Sequence, residues 1–171
     1  MYTLANDEKS TLVMAYTQNA LLRGEVVTKS NVLVSRWLRT DSAPSYLHFI
    51  NAQVLFFGGG AVKTYRYPEM YLPARELIAF HLAPPAADPL DYEPNEPNRI
   101  MVDVTLMVGT FLFKGKVRIS AQIDFGSSLE MGRQPWLSFY EVGVSNPFLP
   151  QLQMTVPFVL FSPSQVYYGK D

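Results

Sequence analysis

Side chains able to do chemistry are few. The chain has two histidines and no cysteine, so thiolate nucleophiles, disulfides, thiolate zinc sites and iron–sulfur clusters are all excluded. His48 and His81 each lie in an apolar, strand-like run (Leu47, Phe49; Phe80, Leu82), with no His, Asp or Glu at metal-ligand spacing nearby. A triad or a three-ligand metal site would need partners brought from elsewhere in the fold. The chain carries no HExxH, P-loop or dinucleotide fingerprint. Gly58-Gly-Gly60 offers backbone amides to a phosphate, but no Lys-Ser/Thr follows to open a helix, and it reads as a hairpin turn. The expectation is a protein that is not an enzyme and holds no cofactor or metal.

One charged pattern remains. Lys114, Lys116 and Arg118 alternate along a predicted strand and so project from one face. Asp124-Phe-Gly-Ser-Ser-Leu-Glu-Met-Gly132 follows them. Together these resemble the PilZ domains that bind cyclic di-GMP through Arg-x-x-x-Arg and then Asp-x-Ser-x-x-Gly. Here the first base is lysine, the separation is shorter and Ser127 is displaced by one position. The resemblance implies a regulatory ligand- or nucleotide-binding module using Lys114, Lys116, Arg118, Asp124 and Ser127. This is the alternative reading, because a single short stripe without interleaved aromatics usually marks a solvated face.

Aromatic residues are more telling. They make up 13% of 171 residues, with 2 Trp, 10 Tyr and 11 Phe. Tyr65, Tyr67, Tyr71, Tyr140, Tyr167 and Tyr168, with Trp37 and Trp136, exceed what two small cores readily bury, and aromatics are enriched in interfaces. Trp37, Tyr65, Tyr67, Tyr71 and Trp136 are the interface candidates. Tyr65-Arg-Tyr-Pro-Glu-Met-Tyr71 reads as an exposed anchor. The leading expectation is a protein-interaction or scaffold module that self-assembles as a homo-oligomer or docks on a protein partner.

The organisation that must position these residues is set by one segment. Pro84–Asn98 (PPAADPLDYEPNEPN) has five prolines and four acids, and proline lacks the amide proton a helix or central strand needs. It reads as an acidic, semi-rigid spacer between lobes at 1–83 and 99–171. The first lobe holds 8 bases and 6 acids and the second holds 6 and 5, so lobes of +2 and +1 with a −4 linker give the overall −1. That balance offers no bulk attraction to nucleic acid or anionic membrane.

The flanks match. Leu21-Leu-Arg-Gly-Glu-Val26 aligns with Leu112-Phe-Lys-Gly-Lys-Val117 at an offset of 91. Tyr46–Ile50 aligns with Trp136–Tyr140 at 90, and Glu76–Ala79 with Gln165–Tyr168 at 89. A duplication with small loop deletions accounts for the drift. In the first lobe, strands are expected at 11–17, 20–28, 46–50, 53–57, 62–67 and 77–82, with a bulge possible at Asn51-Ala52. A short helix is expected within 32–39. Strands at 101–108, 110–121, 136–142, 151–161 and 165–168 are expected in the second. Gly24 and Gly115, inside strands, mark sharp bends. The predicted fold is mainly β: two tandem, small, strongly bent β-barrels, each with about five strands and at most one short helix.

The strand with internal Gly24, then Val34-Ser-Arg-Trp-Leu38, Tyr46-Leu-His-Phe-Ile-Asn-Ala-Gln-Val54 and Leu77-Ile-Ala-Phe80, resembles an uncharacterised bacterial family of Sm-like small barrels. That family implies no particular chemistry. True Sm proteins contact RNA through an aspartate-to-asparagine pair and an Arg-Gly. Here Arg23-Gly24 lies in a different strand and no Asp-x-apolar-Asn follows, so nucleic acid is not an expected partner. The N-terminal residues carry acids where a signal peptide needs bases, and no run of about 20 apolar residues occurs. A cytoplasmic protein without membrane insertion is expected.

Overall fold

The computed structural model describes residues 2–170. Its strands are β1 (Glu8–Tyr16), β2 (Ala20–Lys29), β3 (Tyr46–Gly58), β4 (Ala61–Pro73), β5 (Ala79–Leu82), β6 (Arg99–Val108), β7 (Phe111–Ser120), β8 (Leu137–Ser145), β9 (Gln153–Phe161) and β10 (Tyr167–Gly169). Two helices interrupt them, α1 (Val34–Trp37) and α2 (Phe125–Met131). The chain is mainly β. All pairings are antiparallel, in one sheet of order β10-β6-β7-β8-β9-β5-β1-β2-β3-β4.

That order repeats a single pattern. Within the first five strands it runs fifth-first-second-third-fourth, and the second five follow the same path. The bends repeat as well. The β2–β3 ladder shifts between Arg23 and Glu25, and the β7–β8 ladder shifts between Lys114 and Lys116. Each shift brackets a glycine that lets two backbones close up. A Cβ on Gly24 would sit 3.1 Å from the Ala52 backbone, and one on Gly115 would sit 2.7 Å from the Tyr140 carbonyl oxygen. Across each bulge stands a residue at positive φ, Asn51 at 53° and Glu141 at 52°. A proline follows on the next strand, Pro68 in β4 and Pro157 in β9. These pairs lie 91, 90 and 89 residues apart, the offsets of the sequence matches.

The sheet stays open, with β10 and β4 at its two ends, so the ten strands form one continuous sheet. The halves join where β5 pairs with β9, Ala79 facing Phe161 and Phe80 facing Leu160. Ser162 N also donates to Ile78 O at 2.8 Å.

The seam explains an oddity of the sequence. Residues 12–16 of β1 and residues 77–80 leading into β5 read as unbroken apolar runs, as strands do when both faces are covered. Val13, Ala15, Leu77 and Phe80 point into the core of the first half. Their neighbours Met14, Tyr16, Ile78 and Ala79 point into the core of the second. Tyr16, fully buried, lies edge-on against Phe111 and Phe113 at centroid distances of 4.9 and 4.8 Å. In the counterpart strand β6 the end that corresponds to the seam reverts to alternation. Val104, Leu106 and Val108 are buried, whereas Asp103 and Met107 are exposed.

The segment predicted as a spacer is instead a strap laid across both halves. Asp91 accepts hydrogen bonds from Arg39 (2.8 Å), Ser138 (2.6 Å) and Tyr140 (2.6 Å), tying β8 to the loop after α1. Further along, Glu96 accepts from Arg118 at 2.7 Å, and Tyr92 lies under the Arg118 guanidinium, 4.7 Å from ring centroid to Cζ. The strap's acids thus meet bases supplied by both halves. Burial pushes the Asp91 carboxyl up, but hydrogen bonds from Ser138, Tyr140 and Arg39 outweigh it and hold the group below its ordinary value. Asp88 is the reverse case. Burial raises it, and its Oδ2 meets no donor. Asp91→Ala is therefore expected to lower stability by about 1–2 kcal/mol, as loss of half-exposed charged hydrogen bonds does. Asp88→Asn should cost nothing. Urea midpoints of the two variants check this, and equal losses would refute it.

Candidate interaction surface

Two sheet ends lack a further strand, and they differ. β4 is a 13-residue edge whose side chains are mostly exposed, with Leu72 buried. Tyr65, Tyr67 and Tyr71 occupy alternate positions on it and are 42%, 44% and 56% exposed. Tyr71 stacks on His48 with the rings 4.6 Å apart and 8° from parallel, while its hydroxyl donates to Glu69 at 2.6 Å. The Tyr71 bond is the largest influence holding the Glu69 carboxyl below its ordinary value. His48 Nε2 lies 3.0 Å from Glu69 Oε1 without hydrogen-bond alignment. Lys63, Arg66 and Pro68 guard the first part of this edge, the usual defence against indiscriminate strand addition. Beyond Pro68 the edge runs Glu69-Met70-Tyr71-Leu72 with no base.

The other end is β10, which pairs with β6 over three residues only. Tyr167 there is 73% exposed and faces Met107, 44% exposed, across the ladder. Tyr168 turns inward. Its hydroxyl donates to Pro163 O at 3.0 Å, and burial pushes its pKa up to about 12.

The two predicted tryptophans sit elsewhere. Trp37, on α1, packs half-buried on the first core and donates from Nε1 to Ser42 O at 2.8 Å. Trp136, also half-buried, packs against the first core and against the cluster of Tyr140, Phe158 and Leu160 beneath the strap. The five aromatics therefore separate into a β4 triplet and two rings engaged in packing. Tyr167 belongs to the aromatic surplus already visible in the sequence, whereas Tyr46, 57% exposed, is singled out only by the structure. The sequence repeat pairs Ala79 with Tyr168, and only the strand registers put Tyr167 in that place.

The alternative binding residues are not drawn into one site. Lys116 pairs with Glu141, and Arg118 is held by Glu96, Tyr92 and the Glu93 carbonyl. Lys114 faces Thr105 and lines a shallow cleft with Asp103. Asp124 caps α2, accepting from Ser127 N at 2.9 Å and Ser127 Oγ at 2.7 Å. This accounts for both residues as helix-start chemistry.

Buried His81 is likewise engaged, its Nε2 2.9 Å from Tyr16 Oη and its Nδ1 2.7 Å from Leu82 O. Of the two neutral tautomers, the one with hydrogen on Nδ1 satisfies both, donating to the carbonyl and accepting from the phenol. Among the described residues no group of three or more His, Asp or Glu is placed to hold a metal ion. No helix among them is long and apolar enough to cross a membrane. No family model, curated protein or solved structure matches this chain.

Proposed function

We propose that this protein is a non-enzymatic assembly module, two small, strongly bent Sm-like β-barrel units in tandem whose first partner is another copy of itself. The observation that carries this reading is the pair of unlike, unpaired sheet ends on a chain whose halves already join edge to edge. Unprotected edges invite strand addition, and residues 69–72 of β4 lack the bases that guard its first part. Exposed tyrosines at both ends add the amphipathic rings on which interfaces are built. A cytoplasmic scaffold that gathers a protein partner on its β4 tyrosines is compatible with the same surface.

Light scattering over a wide concentration range tests it. Masses at integer multiples of 19.3 kDa, rising with concentration, are expected. A constant 19.3 kDa at every concentration would refute self-assembly.

A further inference from the structure

The seam between the halves specifies how a second copy would dock, because each sheet end is the counterpart of one strand of that seam. Val13 faces Gly24 and Val104 faces Gly115, so Tyr16, three residues on, corresponds to Met107. Tyr16 faces Ala79 and Met107 faces Tyr167, so Tyr167 is the counterpart of Ala79. This is one residue earlier than the sequence match had placed it. On the other strand Leu47 faces Leu72 and Leu137 faces Phe161, four residues before Asn51 and Glu141 respectively, so Leu72 is the counterpart of Phe161. The seam pairs Ala79 with Phe161.

We infer that β10 of one molecule adds antiparallel to β4 of the next, with Tyr167 opposite Leu72 and Lys170 opposite Glu69. The inference rests on the assembly reading and deepens it, by fixing the partner strand, direction and register. Two further observations, one of charge and one of exposure, agree with it. First, continuing the ladder outward sets Lys170, an exposed base, directly across from Glu69, an exposed acid. Opposite charges facing each other across a ladder are favourable, whereas a shift of one residue would lose the pair and turn side chains to the wrong face. Second, the buried seam residues Tyr16 and Ala79 have as counterparts Met107 and Tyr167, two of the most exposed apolar side chains on the second half. A docking molecule would cover both.

The joint is head-to-tail, so copies form closed rings if the rotation closes and filaments if it does not. It is also weaker than the seam. The counterpart of the Ser162 N to Ile78 O bond would need an amide proton at position 73, which is proline. Assemblies should therefore dissociate between molecules on dilution while the seam inside each chain stays paired.

The absence of cysteine makes the register directly testable. Glu69→Cys and Lys170→Cys, both on exposed side chains, are prepared as separate proteins, mixed and oxidised. Opposed positions across a ladder lie within disulfide reach. Disulfide-linked dimers are expected from the mixture and from neither variant alone. In parallel, Glu69→Lys should raise the concentration needed for assembly by about tenfold or less, as one exposed ion pair allows. Adding Lys170→Glu should restore it. Multimers that link only through Glu69→Cys with itself would mean a symmetric β4–β4 contact, overturning this register while leaving self-assembly in place. Multimers with no disulfide in any combination, or with no recovery in the charge swap, would likewise overturn it. A strict monomer would overturn both readings.

Discussion

Gly109→Ala is expected to lower the melting temperature by roughly 10 °C, the largest loss for adding one methyl group to this protein. Gly109 lies in the turn between β6 and β7 with φ at +57°. A non-glycine residue held there costs about 1–2 kcal/mol from its Cβ alone. The greater part comes from the other half of the chain. A Cβ on Gly109 would stand 2.5 Å from Gln18 O and 2.7 Å from Thr17 O, carbonyls of the β1–β2 turn. Backbone cannot step aside as a side chain can, so the turns must part or the seam must shift, adding about 1–3 kcal/mol. A total of about 3–4 kcal/mol translates to roughly 10 °C in a domain of this size. Gly60→Ala is the internal standard. Its φ is +82°, yet nothing lies within 4 Å of a new Cβ, so it should show only the backbone part. Equal losses from the two variants in calorimetry would mean that the turns do not interlock.

The second large effect is a pH dependence centred on His81. Burial lowers its pKa from 6.5 to about 4, against a smaller raising influence from the Leu82 carbonyl. The folded protein thus resists a proton that the unfolded chain accepts. Above pH 6.5 neither state binds it, and the full contribution is present. As pH falls from 6.5 toward 4 the unfolded state gains the proton alone, and stability declines. The drop attributable to this residue is about 3 kcal/mol between pH 7 and pH 4, flattening below 4 where the folded state also protonates. His81→Gln should flatten this part of the profile while lowering stability at neutral pH, because the buried Tyr16 hydroxyl loses its imidazole partner. Chemical denaturation at several pH values reads both. An unchanged acid limb in His81→Gln would assign the pH dependence to other groups.

Local features of this fold were legible in the residues, and features made by meeting segments were not. Gly24, Gly115 and the Asn51-Ala52 irregularity announced the bends, since few other residues tolerate such backbone approach. Val34, Trp37 and Leu38 marked the short α1. By contrast, the sequence reads as a strand over 62–67, yet β4 runs on through Pro68 to Pro73. A sheet end asks for no amide proton on its free side, so proline is tolerated there. α2 was missed because its start rests on the Asp124–Ser127 cap and it buries none of its residues, leaving no periodic stripe to read. The strap looked like a spacer because its anchors, Arg39, Arg118, Ser138 and Tyr140, come from far along the chain on both sides. The open sheet and the unlike ends are consequences of pairing order, which no local pattern encodes. Of the interaction surface, the β4 tyrosines were visible as an aromatic run. Tyr167 was legible as one of the surplus aromatics, but its equivalence to Ala79 emerges only from the strand registers.

The double duty of β1 bears on how the protein is made. A ribosome finishes Met14, Tyr16, Ile78 and Ala79 well before Phe111, Phe139 and Phe161, the rings that cover them, have been synthesised. At roughly 5–20 residues per second, the interval to Phe161 is on the order of ten seconds. During that time the nascent first half carries a finished sheet with one oily face open to the cell. Whatever waits beside the exit tunnel meets that face before its own second half does, so the most exposed moment in the life of this molecule comes before it is complete.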